Sequence, residues 1–105
     1  MIKAKDIKHI KNRLDKYKKL LKNEMDLIKQ LEYKRLIRKE EYKLIDVDYQ
    51  LLNINSELGK RLFIDRYIKG LTGIQICQRY NMSKTTVYKK LSRARLEFEG
   101  NKVRV

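Results

Sequence analysis

Residues 71–98 read LTGIQICQRYNMSKTTVYKKLSRARLEF, and the spacing within this stretch decides the class of fold. Thr72 precedes a short apolar-periodic segment (Ile76, Tyr80), Asn81 and Met82 interrupt it, and Ser83 opens a second, longer segment. Short hydroxyl side chains at such points accept from the orphan amides of a helix's first turn. The pattern therefore predicts two helices joined by a short turn. Asn81 suits the turn because it tolerates positive φ better than most non-glycine residues. Met82 is expected to point inward, and Cys77, next to Ile76, to be the small residue where the two helices touch. On the second helix Val87, Leu91, Ala94 and Phe98 are separated by four, three and four residues, which gives one inward stripe.

What remains of that helix faces out. Lys84, Thr85, Tyr88, Lys89 and Ser92 lie outside the stripe, with Arg93 and Arg95 flanking them further along. In a helix-turn-helix the first turns of the second helix enter the major groove, whose base edges carry the donor and acceptor code. Ser83, Lys84, Thr85, Thr86, Tyr88, Lys89, Ser92, Arg93 and Arg95 are accordingly the candidate DNA-binding residues. The plainer alternative is a helical hairpin in which Ser83 only caps and the lysines are only solvated.

Residues 71–98, above all SKTTVYKKLSRAR, resemble region 4 of bacterial sigma factors, and the likeness covers about a quarter of the chain. With the preceding RYIKG (residues 66–70) and the basic helical stretch before it, the chain is also similar to small phage transcriptional regulators of the ArpU and RinA late-gene activator kind. The resemblance implies promoter or operator binding, with Lys84, Thr85, Tyr88 and Lys89 facing bases, and it extends the partners from double-stranded DNA to RNA polymerase. Asn81 stands where a turn glycine is usual and Cys77 where alanine is usual. No sigma region 2 is present, so promoter melting is not implied.

Upstream of the motif, Ser56 is the expected cap of a helix that carries Leu58, Leu62 and Tyr67 and closes at Gly70 in the left-handed region. The stretch from Leu36 to Asn55 is less regular and predicts a helix near residues 40–53. From Ile7 onward, Ile7, Leu14, Leu21 and Ile28 recur every seven residues, with Ile10, Tyr17 and Leu31 three residues after three of them. That is a heptad seam of about four repeats, broken at Glu24 and Arg35. It needs cover from another subunit or from the chain's own next helix, and pairing between subunits would make a homodimer through the N-terminal helices. The fold expected is all-α: a long coiled-coil-like helix or helical hairpin, then a three-helix unit. Residues 1–55 are read as a basic helical oligomerisation arm and residues 56–105 as the helix-turn-helix domain.

Composition supports the same class. The 105 residues contain no Pro and four Gly, all beyond the middle of the chain, which favours long helices. Twenty-seven basic against 13 acidic side chains give a formal charge of +14, a field that concentrates polyanions at the surface. A solvated Lys-rich surface and a membrane surface are competing explanations of that charge. The absence of Trp and the presence of only two Phe argue against the membrane. No apolar run approaches a signal or spanning length, so a cytoplasmic protein is expected. Cys77 and His9 are the only residues of their types and lie far apart, which signals neither a disulfide nor a zinc cluster, and no metal or cofactor is expected. No paired-carboxylate, nucleophile–base or glycine-rich phosphate pattern appears, and Asp46 and Asp48 have a helical surface context, so no enzyme is expected. Tyr17, Tyr33, Tyr42, Tyr49, Tyr67 and Tyr80 are read as core or seam residues. The functional alternatives are a phage small terminase subunit, which would form rings, and a coiled-coil interaction protein that does not bind DNA.

Overall fold

The computed structural model describes residues 1–100, which are all-helical. A single 3-10 turn, Ala4–Asp6, leads into α1 (Ile7–Asn23). The chain reverses over residues 24–26 into α2 (Leu27–Leu51). Helix α3 (Glu57–Phe63) continues as a π-helical turn, Ile64–Ile68, and α4 (Gly73–Tyr80) and α5 (Lys84–Phe98) follow. Expectations that fall on residues 101–105 lie outside the described residues.

The reversal at 24–26 corrects the heptad reading. Glu24 has extended backbone, and its carboxylate accepts from the amides of Met25 and Asp26 at 3.1 and 3.0 Å. Asp26 then caps α2 by accepting from Ile28 N at 2.9 Å. Short-range carboxylate acceptors thus satisfy the amides that a continuous helix would have used. The seven-residue repeat therefore spans two antiparallel helices rather than one. Ile7, Ile10 and Leu14 are buried on α1, whereas Ile28 and Leu31, on α2, are exposed. The stripe's first half finds its cover inside the chain, in the α1–α2 hairpin. Helix α2 also begins well before residue 40, because the Asp26 cap starts it.

Arg13 and Glu40 clamp the hairpin. Glu40 is buried on α2, and the Arg13 guanidinium reaches both its oxygens, at 3.1 and 3.3 Å, while Lys43 Nζ lies 3.3 Å away. Burial pushes the Glu40 carboxyl up, but the hydrogen bonds from Arg13 and Lys43 outweigh it and hold the carboxyl below its ordinary value.

Two apolar clusters organise the rest. Ala4, Ile7, Val47, Ile54, Phe63, Ala94 and Phe98 form the first, so the core runs across residue 55 and joins the hairpin to α3 and α5. Phe63 and Phe98 stack at 4.5 Å between ring centroids, within the range of favourable aromatic pairs. Leu62, Ile76, Val87 and Leu91 form the second cluster beneath α4 and α5. Polar stitches reinforce the first. Gln50 is buried, accepts from Ile2 N at 2.9 Å and donates to the carbonyls of Ile2 and Phe98 at 2.8 and 3.2 Å.

Candidate nucleic-acid interface

The local geometry of residues 72–98 follows from its caps. Thr72 Oγ1 accepts from Gln75 N at 3.2 Å, and the Gln75 side chain accepts from Thr72 N at 2.9 Å, a reciprocal capping box. Helix α4 ends at Asn81, which has φ 51° and ψ 49°, and Met82 N returns to Cys77 O at 3.0 Å. Ser83 Oγ then accepts from Thr86 N at 3.2 Å and starts α5. The left-handed Asn81 and the Ser83 cap stand where the sequence places them. Val87, Leu91, Ala94 and Phe98 are all buried, as the four-three-four spacing requires.

Cys77 and Met82 are half-buried against the second cluster. A second small residue, Gly73, lies directly under the Tyr88 ring. A Cβ built there would fall 2.9 Å from Tyr88 Cζ, a distance that real side chains do not show. The helix–helix contact thus uses a glycine at the start of α4, beneath Tyr88, as well as Cys77, which packs against the cluster that contains Val87 and Leu91. Tyr88 is 46 % exposed and lies over Gly73, so it belongs in part to the helix–helix contact as well as to the outer face.

The candidate residues Ser83, Lys84, Thr85, Thr86, Tyr88, Lys89, Ser92, Arg93 and Arg95 are all exposed. They are not equivalent. At 100° per residue, Thr85, Lys89 and Leu96 point most directly away from the buried stripe, Ser92 and Arg93 lie about 50° to either side of that line, and Lys84, Tyr88 and Arg95 lie on the flank towards α4. Lys84 Nζ sits 5.8 Å from the Tyr88 ring centroid, a cation–π distance. Ser83 and Thr86 have much of their hydrogen-bonding capacity engaged locally, since Ser83 Oγ also donates to Thr86 Oγ1 at 2.8 Å. On the opposite flank a shallow groove is lined by Thr85, Thr86, Lys89, Lys90, Ser92 and Arg93. Lys90 is the residue the sequence reading missed. Its position four after Thr86 and three before Arg93, on neighbouring turns, is the signal that places it there.

The cations of the head divide into those paired with carboxylates and those left free. Asp65, in the π-helical turn, is buried at 2 % exposure and accepts from the Tyr80 hydroxyl at 2.5 Å. Lys69 and Arg79 lie 3.7 and 3.6 Å from its other oxygen. Donating that hydrogen bond, together with burial and the carboxylate's charge, pushes the Tyr80 hydroxyl above its ordinary value. By contrast, among the described residues, Lys84, Lys89, Lys90, Arg93 and Arg95 enter no ion pair. Cations without carboxylate partners are free to meet phosphates.

Among the described residues no group of three or more His, Cys, Asp or Glu side chains is placed to hold a metal ion. No helix described is long and apolar enough to cross a membrane. No protein family, curated protein or solved structure matches the chain.

Proposed function

We propose that the chain is a sequence-specific double-stranded DNA-binding transcriptional regulator, a cytoplasmic protein of phage or prophage type, with α4 and α5 as a sigma region 4-like helix-turn-helix. The observation that carries this reading is the outer face of α5, where exposed hydroxyls and unpaired cations stand together on a helix whose opposite stripe is wholly buried. A helix so anchored can enter a major groove without disturbing the core. Thr85 and Lys89 point furthest outward, where base edges would be met, with Ser92 on one side of them and Lys90 and Arg93 on the other, where phosphates would be met. Residues 1–55 supply the pairing of heads that two-fold DNA readers require, and RNA polymerase is a further partner in this reading.

The test is selection of a preferred duplex from a random pool, followed by titration of preferred and scrambled duplexes at one salt concentration. Lys89→Ala is expected to cost about 1–3 kcal/mol on the preferred duplex alone, which shrinks the specificity ratio. Arg93→Ala is expected to weaken both duplexes by similar factors. A protein that is not retained on any duplex at moderate salt has no such function.

A further inference from the structure

Helix α2 carries a second apolar stripe, on the side that faces away from α1. Ile28 and Leu31 open it, at 69 % and 65 % exposure. Tyr42, Ile45, Tyr49 and Leu52 close it, at 68 %, 47 %, 69 % and 71 %. Arg35 and Arg38, also exposed, occupy the two positions between. The separations from Ile28 to Leu52 alternate three and four without a break, which is the a/d register of a coiled-coil seam. Val47, buried against the first cluster, follows Ile45 by two residues and so lies about 200° around the helix. The seam and the buried face are therefore back to back, and none of the described residues covers the seam.

We infer that this seam pairs with the same seam of a second copy of the chain, antiparallel, about a two-fold axis near residue 40. Charge decides the orientation. Lys29, Lys34, Arg35, Arg38 and Lys39 outweigh Glu32 in the first half of the helix, and Glu41, Asp46 and Asp48 dominate the second, where Lys43 is paired with the buried Glu40. A parallel pair would set Arg35 on Arg35 and Arg38 on Arg38, like charges in the contact layer. The antiparallel pair sets each basic half on the other copy's acidic half. Its layers are Ile28 on Leu52, Leu31 on Tyr49, Arg35 on Ile45 and Arg38 on Tyr42, the last a cation over an aromatic ring. On the flanks of this register Lys34 meets the other copy's Asp48, while Glu32 against Asp46 and, at the axis, Lys39 and Glu41 each against its own counterpart are the unfavourable elements. With about 100 Å² buried per seam side chain, each copy contributes roughly 800 Å², the size of a standard stable interface. The two copies of Leu52 then stand about 36 Å apart at 1.5 Å per residue.

The inference extends the DNA-binding reading but is measured without DNA. Sedimentation of the full chain is expected to give twice the 12.8 kDa chain mass. Leu31→Asp with Tyr49→Asp should give monomers of unchanged helical circular dichroism, because both side chains are exposed within one chain. In a Cys77→Ser background, oxidation should join Ile28→Cys chains to Leu52→Cys chains and should leave each uncrosslinked when alone. A parent that sediments as a monomer or as a larger ring, a double variant that stays dimeric, or Ile28→Cys chains that crosslink among themselves would overturn the inference. So would anionic phosphatidylserine vesicles that float the parent and not the double variant. A dimer that ignores DNA leaves the seam standing and sinks the regulator, whereas a monomer that selects a duplex does the reverse.

Discussion

Gly73→Ala is the most discriminating single change in the head, because its sign should depend on one other residue. Gly73 begins α4 and needs no positive φ, so alanine fits the backbone there. Taken alone, the change should stabilise the helix by up to about 0.5–1 kcal/mol, since glycine is the poorer helix former. The new methyl, however, would sit 2.9 Å from Tyr88 Cζ, where ordinary contact begins near 3.4 Å. The hydroxyl of Tyr88 is closer still, so the side chain must retreat by about 1 Å. Tyr88 is 46 % exposed and has room to swing outward, so the cost is that of a strained or displaced rotamer, about 0.5–1.5 kcal/mol, rather than of an overpacked core.

The two effects nearly cancel in the parent, where Gly73→Ala should change stability by less than about 1 kcal/mol in either direction. In a Tyr88→Ala background the clash is gone, and the same change should be stabilising by up to about 1 kcal/mol. The coupling between the two sites is therefore expected at about 1 kcal/mol, the range seen for side chains in direct contact. Urea unfolding followed by circular dichroism, on the parent, both single variants and the double variant, measures it. Equal effects of Gly73→Ala in the two backgrounds would refute the claim that Tyr88 lies over Gly73. Tyr88→Ala itself should cost measurable stability, contrary to what its place outside the Val87–Leu91–Ala94–Phe98 stripe suggests.

Glu40→Gln should destabilise the fold by about 1–3 kcal/mol at neutral pH by leaving Arg13 and Lys43 without their buried acceptor. Because the folded Glu40 carboxyl is held below its ordinary 4.5, its contribution is present above that value and is lost as pH falls through the folded one. The gap between parent and variant should thus close in acid, and a gap constant from pH 7 to pH 3 in urea titrations would be wrong for this mechanism. Tyr80→Phe removes one partner of the buried Asp65 while Lys69 and Arg79 remain, and should cost about 1–2 kcal/mol, read as a lower thermal midpoint. DNA affinity should fall with roughly 4–8 released counterions per bound unit, given eight basic against two acidic side chains in residues 71–105. A log–log salt slope near zero removes the electrostatic basis of the proposed interface.

The head was legible in the sequence because its signals are local. Thr72, Asn81 and Ser83 each act within four residues of themselves, and the Val87–Phe98 stripe repeats at one period on one face. The hairpin was less legible for a physical reason: α2 is apolar on two opposite faces, so residues 36–55 show no single stripe to a periodicity reading. The break at 24–26 was hidden because Ile28 falls on the α1 heptad by coincidence, while the carboxylates of Glu24 and Asp26 that end one helix and start the next carry no apolar signal. Asp65 was missed altogether. Its burial depends on a π-helical turn and on Tyr80, fifteen residues away, and neither is visible in a local window.

The way the hairpin meets the head bears on how the chain could act on DNA. Gln50 is the last buried residue of α2, one position after Tyr49 of the exposed seam. Its side chain is bonded to the carbonyl of Phe98, at the end of α5, and to both backbone groups of Ile2. Val47 and Phe98 share one apolar cluster. Buried amide bonds and interdigitated aromatic packing leave little freedom at such a junction, since each would have to break for α5 to swing relative to α2. The orientation of the α5 outer face is thereby fixed relative to the α2 seam. A pair of chains joined along that seam would present two reading faces at one set spacing, and would discriminate DNA by the distance between half-sites as well as by their bases.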